Sequence, residues 1–388
     1  INEKFDLAIT LCRITIPYVI FVSITALFGG MLNSIRQFAA FAFVPILMNI
    51  SIITITPLIQ DRYTAHFSIA YALIIAGILQ VAFMYYCLVR AGLNFPLLFK
   101  PKNKDVRILL KKMGPATMSS GAQQINLFIS QSIASFLPGA VSILSYADRL
   151  YQLPMSLIGV TFGTILLPEL SRIYKKKQYI EANNLQNKSI KIAAAISIPA
   201  MFGLFILAMP IIHFIYERGQ FSSNDTKQTA HALMAFSLGL PAFTLSKILT
   251  PIFYANLDTK TPFKITIYSI VTNVTLNILL MIPFGHIGIA LGSSIAAWFN
   301  VYLLNKHAKQ YGNFHISFDT LLFSLKIIIC SIFMVGFIAI IQCYFNDFFY
   351  NDRFIIKAGM LLGTIVFSLI IFAMLGYFFK IHNILLKK

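Results

Sequence analysis

Apolar residues run along this chain in blocks of about twenty or more, the length at which a helix crosses a bilayer core. Short polar and basic stretches separate the blocks. Eleven can be drawn: 6–33, 37–59, 66–90, 106–137, 139–172, 188–216, 226–256, 262–283, 287–305, 318–344 and 355–379. They are too long and too continuous for the strands of a membrane barrel, so they are read as helices. The pattern predicts an all-α integral membrane protein, a polytopic bundle of about eleven transmembrane helices.

Charge orders these spans. Drawn alternately to two sides, the loops put twenty-one basic residues on one side and six on the other. The rich side holds the clusters Arg90–Lys112, Arg172–Lys191 and Lys380–Lys388. By the positive-inside rule that side is cytoplasmic, with the C-terminus on it and Ile1 outside. An outside start with an odd span count predicts that an odd number of spans precedes Ile1. The formal net charge of +18 is then mostly topology, and nucleic acid is not expected as a partner.

Composition agrees. Of the 388 residues 58% are hydrophobic and 11% charged, against about 25% charged in soluble domains. Cys12, Cys87, Cys330 and Cys343 lie apart in apolar runs, the histidines have no ligand spacing, and no phosphate-binding glycine loop occurs. No metal, cofactor or enzyme activity is expected.

The chemistry to explain lies inside the spans. Between Gly139 and Pro168 the only charges are the neighbours Asp148 and Arg149. Adjacent helical residues point about 100° apart, so the two do not face each other. Ser145, Asp148, Arg149 and Gln152 follow helical i, i+3, i+4, i+7 spacing and form one polar face. The preceding span carries a second stripe, Ser119, Gln123, Asn126 and Ser130, with Gln124 and Gln131 beside it. Two such faces would wall an aqueous cavity, because intramembrane charge is costly and usually functional; the bland reading is that they hold helices together. Pro154 should bend the long helix just past its polar face. Arg13 and Lys247 are either part of a polar pathway or snorkel to an interface. Asn273 and Asn277 share a face and serve either packing or a cation.

A weak internal echo relates "GGMLNSIRQFAAFAF" (29–43) to "PIFYANLDTKTPFKI" (251–265), six spans apart and so in the same orientation. This fits a parallel repeat of helix bundles, a transporter architecture.

Four stretches carry a resemblance: "SYADRLYQLPMSLIGVTFGTILLPELSR", "ERGQFSSNDTKQTAHALMAFSLGLPAF", "KILTPIFYANLDTKTPFKI" and "RITIPYVIFVSITALFGGMLNSIRQFAAFAFVPILMNIS". Together they resemble the MurJ (MviN) family of bacterial lipid II flippases, over nearly the whole chain. The resemblance implies a two-lobe, MATE-like transporter of fourteen spans, of which this chain would begin at the fourth. Residues 1–105 would complete the N-terminal lobe with three spans. Residues 106–310 would be a six-helix C-terminal lobe, and 311–388 two added helices forming a lipid-tail groove.

The resemblance also implies an activity: moving the lipid-linked peptidoglycan precursor from the cytoplasmic to the outer leaflet of the bacterial inner membrane, for cell-wall biogenesis and cell shape. Its substrate is lipid II, an undecaprenyl diphosphate joined to a disaccharide-pentapeptide. Membrane lipids and the cell-wall synthesis machinery are candidate partners. Substrate-binding residues would be Arg149 and Asp148 of the "ADR" motif, with Gln152, Gln123 and Ser145. Many relatives have Glu where Gln152 stands, and some have an acidic cation ligand near Ser130 that is absent here. The alternatives are a cation-coupled drug or polysaccharide-lipid exporter of the same superfamily, or a membrane scaffold that transports nothing.

Overall fold

The computed structural model describes residues 2–35, 37–58, 65–93, 121, 124–312, 314–350, 353–379 and 381; for 2–4, 58, 65 and 157–165 it describes the backbone alone. Every element is helical among these residues. In chain order they are α1 (Asn2–Thr15), α2 (Tyr18–Ser34), α3 (Ala39–Ile55), α4 (Ala65–Arg90), α5 (described over 124–134), α6 (Ala140–Lys175) and α7 (Tyr179–Ile206). There follow α8 (Ala208–Tyr216), α9 (Ser223–Ser237), α10 (Leu240–Ala255), α11 (Lys260–Phe284), α12 (His286–Ala308), α13 (Phe318–Phe349) and α14 (Phe354–Phe378). Eight helical segments among the described residues are long and apolar enough to cross a membrane. Of the expected span 106–137, residues 106–120, 122 and 123 lie outside the described residues.

Three expected spans are broken, each beside a proline, which lacks the N–H that a helix interior needs. Pro17 separates α1 from α2. Pro210, third residue of α8, cannot bond the Ile206 carbonyl where α7 ends; Gln342 Nε2 of α13 donates to that oxygen instead at 3.1 Å. Pro241, second residue of α10, marks the break after α9. There Ser294 Oγ of α12 donates to Ala235 O at 2.7 Å and the Trp298 indole donates to Leu238 O at 3.0 Å. Backbone groups freed within a membrane segment must find such partners. By contrast α6 stays helical through Pro154 and Pro168 for 36 residues, roughly 54 Å.

The basic stretch at 173–187, between two of the drawn blocks, is largely helix. It turns at Lys177 (φ +57) and re-enters helix at Tyr179, so Lys188 and Lys191 stand on α7. That polar extension is anchored by Asn187. Its Oδ1 accepts from Ser317 N (2.9 Å) and Thr320 Oγ1 (2.8 Å), and its Nδ2 donates to His315 O (3.0 Å), tying α7 to the start of α13.

The chain folds as two compact units, Ile1–Val106 and Arg107–Lys388. In the first, buried Gln80 of α4 joins three helices: its Nε2 donates to Val44 O of α3 (3.1 Å), and its Oε1 accepts from the Tyr18 hydroxyl of α2 (3.3 Å). Leu32, Val44, Met84 and Leu88 pack beside it. In the second, one core gathers Ala147, Leu150 and Tyr151 of α6 with Ile212, Leu233 and Leu240. Another joins Leu166 and Leu170 to Ala193, Ile248, Phe253 and Phe314. Helices α11 and α12 approach closely through small residues: a Cβ at Gly292 would lie 2.4 Å from Asn277 Oδ1, and one at Gly288 2.0 Å from the Leu280 carbonyl oxygen.

Candidate functional site

Helix α6 starts at Gly139, whose φ of +74° suits glycine. Its rotation is set by burial. Ala147 and Leu150 are buried, and Tyr151 stacks on Phe236 of α9 (centroids 5.2 Å) while tilting against Phe243 of α10 (5.6 Å). With those residues inward, Ser145 and half-buried Asp148 face a cavity of about 510 Å³ inside the second unit. The Asp148 carboxylate accepts from Gln152 Nε2, one turn on, and lies within hydrogen-bonding reach of the Tyr151 hydroxyl. Ser145 returns its hydroxyl to Val141 O at 2.7 Å.

Five further helices contribute to the wall, and two hydrogen-bonded sets organise it. Asn300 of α12 accepts from Ser246 Oγ of α10 (2.9 Å) and donates to Ser269 Oγ of α11 (2.8 Å). Asn273 of α11 accepts from Ser130 Oγ of α5 (3.1 Å) and donates to Ser293 Oγ of α12 (3.1 Å). Buried Asn277 lies one turn from Asn273, with its amide 3.2 Å from Ser130 Oγ. These side chains bond one another across α5, α10, α11 and α12. No group of three metal-ligating side chains is assembled among the described residues.

The expected site residues separate. Ser145, Asp148 and Lys247 line the cavity, as do Asn126, Ser130 and Gln131 of the preceding stripe. Arg149 and Gln152 are exposed on the neighbouring strip of α6 and are not among the described lining residues. On the same helix Tyr146, three residues before Arg149, packs on Tyr216 (4.8 Å) and Phe221 (5.4 Å). Arg13 is exposed in the last turn of α1, in the first unit. Gln123 and Ser119 lie outside the described residues.

Ser246, Ser269 and Asn300 were not singled out from sequence. Their signal is spacing: Ser246 and Thr250, and Ser269 and Asn273, repeat at i, i+4, while Ser293 and Asn300 repeat at i, i+7. Such pairs look ordinary one helix at a time and gain meaning only once three helices converge.

Comparison with known proteins follows the same lines. The family described as "Lipid II flippase MurJ" matches residues 1–359. A probable lipid II flippase MurJ of Rickettsia prowazekii (strain Madrid E) is 52% identical over 382 residues, covering 98% of this chain and 75% of its own length. One from Rhizobium tropici is 41% identical over 308 residues, covering 78% of this chain and 57% of its own. A solved structure, "Lipid II flippase MurJ, inward closed conformation", superposes with a TM-score of 0.80 at 29% identity, over 98% of this chain and 76% of that one.

Proposed function

Because the chain belongs to the MurJ family of lipid II flippases, we propose that it carries lipid II from the cytoplasmic to the outer leaflet of the bacterial inner membrane. The family and the apolar helices make it a multi-pass inner-membrane protein. The C-terminus is proposed to be cytoplasmic, on the basic-residue split of the loops.

One observation carries the reading: a cavity within a bundle of apolar helices whose wall includes amides, hydroxyls and the charged Asp148 and Lys247. The head group of lipid II is a disaccharide-pentapeptide on a diphosphate, and hydrocarbon offers it no hydrogen bonds. A wall of hydroxyls and amides replaces the water that the head group gives up. A guanidinium suits the diphosphate, since its planar fork makes two-point contacts to phosphate oxygens. Exposed Arg149, beside the cavity, is assigned that role. Ser145 and Asp148 accept from hydroxyl and N–H groups of the head, and Gln152 holds the Asp148 carboxylate in place. Transport is assigned to alternating access, in which bundles rock about a fixed site.

The same family disfavours a drug exporter. The wall sets amides and hydroxyls among apolar and aromatic side chains, Tyr151, Phe236, Phe243 and Tyr254 among them, so the family carries this exclusion. The test is the appearance of lipid II in the outer leaflet of cells depleted of their own flippase and supplied with this protein. Restored exposure of lipid II is expected; its persistence on the cytoplasmic side, with the protein present in the membrane, would refute the reading.

A further inference from the structure

The cavity holds a cation that this reading leaves without a role. Lys247 stands on α10 between Ser246 and Thr250, all three lining the cavity. No carboxylate comes within ion-pair distance of it among the described residues. The one acid in the lining, Asp148, is engaged by Gln152 and Tyr151 on its own helix. Lys247 is thus an exposed ammonium that lines the cavity with no counter-charge from the described residues around it. A cation that opens into a cavity and has no ion-pair partner is free to meet an anionic group of a ligand.

The rest of the wall narrows the ligand. Asn126 and Gln131 offer neutral donors and acceptors, and the Asn126 amide oxygen is buried with no donor among the described residues. A volume of about 510 Å³ is that of an ordinary small-ligand pocket. It admits part of a disaccharide-pentapeptide rather than all of it. In lipid II the diphosphate is the link to the isoprenoid tail, and the tail stays in lipid. The diphosphate must therefore sit where the tail can leave the protein, and a group inside the cavity meets the far part of the head. That part consists of acetamido sugars and a peptide, and its anions are peptide carboxylates.

We infer that Lys247 binds a carboxylate of the stem peptide, at a subsite separate from the one that holds the diphosphate. An ammonium serves a single carboxylate well as a point charge. Asp148, already bonded, is left to accept N–H and O–H groups of the same ligand. A cation and an acid in one cavity match a head group that carries carboxylates and amide donors together. This inference rests on lipid II being the substrate.

The test uses the protein in lipid nanodiscs and three probes: lipid II, lipid II with its peptide carboxylates amidated, and undecaprenyl diphosphate. The wild type should bind lipid II about tenfold more tightly than the amidated form, as a hydrogen bond between charged groups implies. Lys247→Gln should erase that preference while leaving affinity for the other two probes unchanged, which also shows that the variant is folded. Lys247→Arg should keep most of the preference. Equal loss for all three probes would place Lys247 at the diphosphate or in the scaffold and overturn the inference. So would a wild type that does not distinguish lipid II from its amidated form, although the flippase reading would then stand. A wild type that binds none of the three would overturn both.

Discussion

The indole N–H of Trp298 donates to the carbonyl of Leu238 at 3.0 Å, across the break between α9 and α10. With Ser294, which donates to Ala235 O, it places α12 side chains on backbone oxygens at the end of α9. Such bonds inside a membrane are worth about 0.6 kcal/mol on average. Trp298→Phe and Ser294→Ala should each lower stability by about that amount, read as a small fall in thermal midpoint in detergent. Gly239→Ala should cost more. Its Cβ would lie 2.7 Å from Ser294 Oγ and 3.0 Å from Ser294 Cα, and forcing two backbones apart typically costs about 1–3 kcal/mol. If Gly239→Ala were neutral, the helices would not be packed as described.

A second prediction concerns the turn after α10. Asp258 N donates to Phe253 O (2.9 Å) and Leu257 N to Tyr254 O (3.0 Å), the two bonds of a Schellman end. The residue that must turn left-handed is Leu257, at φ +60°, with its side chain almost wholly exposed. A leucine there pays about 1–2 kcal/mol in backbone sterics and gains no burial. Leu257→Gly should therefore raise stability by roughly 1 kcal/mol, visible as a higher melting temperature. A lower one would contradict the turn.

The same turn sets a pH window outside the membrane segments. Partial burial works to raise the Asp258 carboxyl, but bonds from Thr261, the Tyr311 hydroxyl (2.5 Å) and Lys260 outweigh it and hold the group below its ordinary 3.8. Burial and then the Asp258 bond push Tyr311 up to about 12. A depressed carboxylate stabilises the fold above its ordinary value, and the benefit goes as pH falls through the lowered one. A raised phenol stabilises below its ordinary 10 and loses that as pH rises toward about 12. The difference in melting temperature between wild type and Tyr311→Phe should be flat between those limits and shrink beyond both. A difference that peaks outside them would refute the coupling.

Much of this architecture can be read from the sequence, and what cannot has a physical cause. Hydropathy placed the helices because burial in lipid acts on averages over about twenty residues. It missed the breaks at Leu207 and Leu238, since a broken span remains as apolar as a whole one; Pro210 and Pro241 were the visible sign. Helical spacing put Ser145 and Asp148 on one face, and both line the cavity. It also grouped Arg149 and Gln152 with them, because a polar stripe read by period does not say where cavity ends and open surface begins. Tyr151 decides that by stacking on Phe236, a contact between residues far apart in the chain. Lys247 was ambiguous for the same reason: whether a lysine snorkels or lines a cavity depends on the helices opposite.

Topology gives the next test. Asn184 is exposed on α7 and Ser223 opens α9; the basic-residue split is read as putting them on opposite sides. With the basic side cytoplasmic, a cysteine at Ser223 in an otherwise cysteine-free background should react with an impermeant thiol reagent applied outside intact cells. One at Asn184 should react only after permeabilisation. The reverse pattern would invert the protein and with it the proposed direction of transport.

The last prediction separates the two cations. Arg149 and Lys247 are both exposed, but of the two only Lys247 is among the described residues that line the cavity. If Arg149 grips the diphosphate, Arg149→Ala should weaken binding of lipid II and of undecaprenyl diphosphate alike, by about 10- to 100-fold for a lost charged hydrogen bond. Growth of a flippase-depleted strain should then fail although the protein still reaches the membrane. Arg149→Lys should recover only part, because an ammonium keeps the charge but not the planar two-point contact. Lys247→Gln should leave undecaprenyl diphosphate binding intact, so the two variants differ most on the probe that has no sugar and no peptide. If Arg149→Ala supports normal growth, the residue has no part in transport. If instead the protein fails to accumulate, the guanidinium serves the aromatic cluster of Tyr146, Tyr216 and Phe221, and the diphosphate must be held elsewhere.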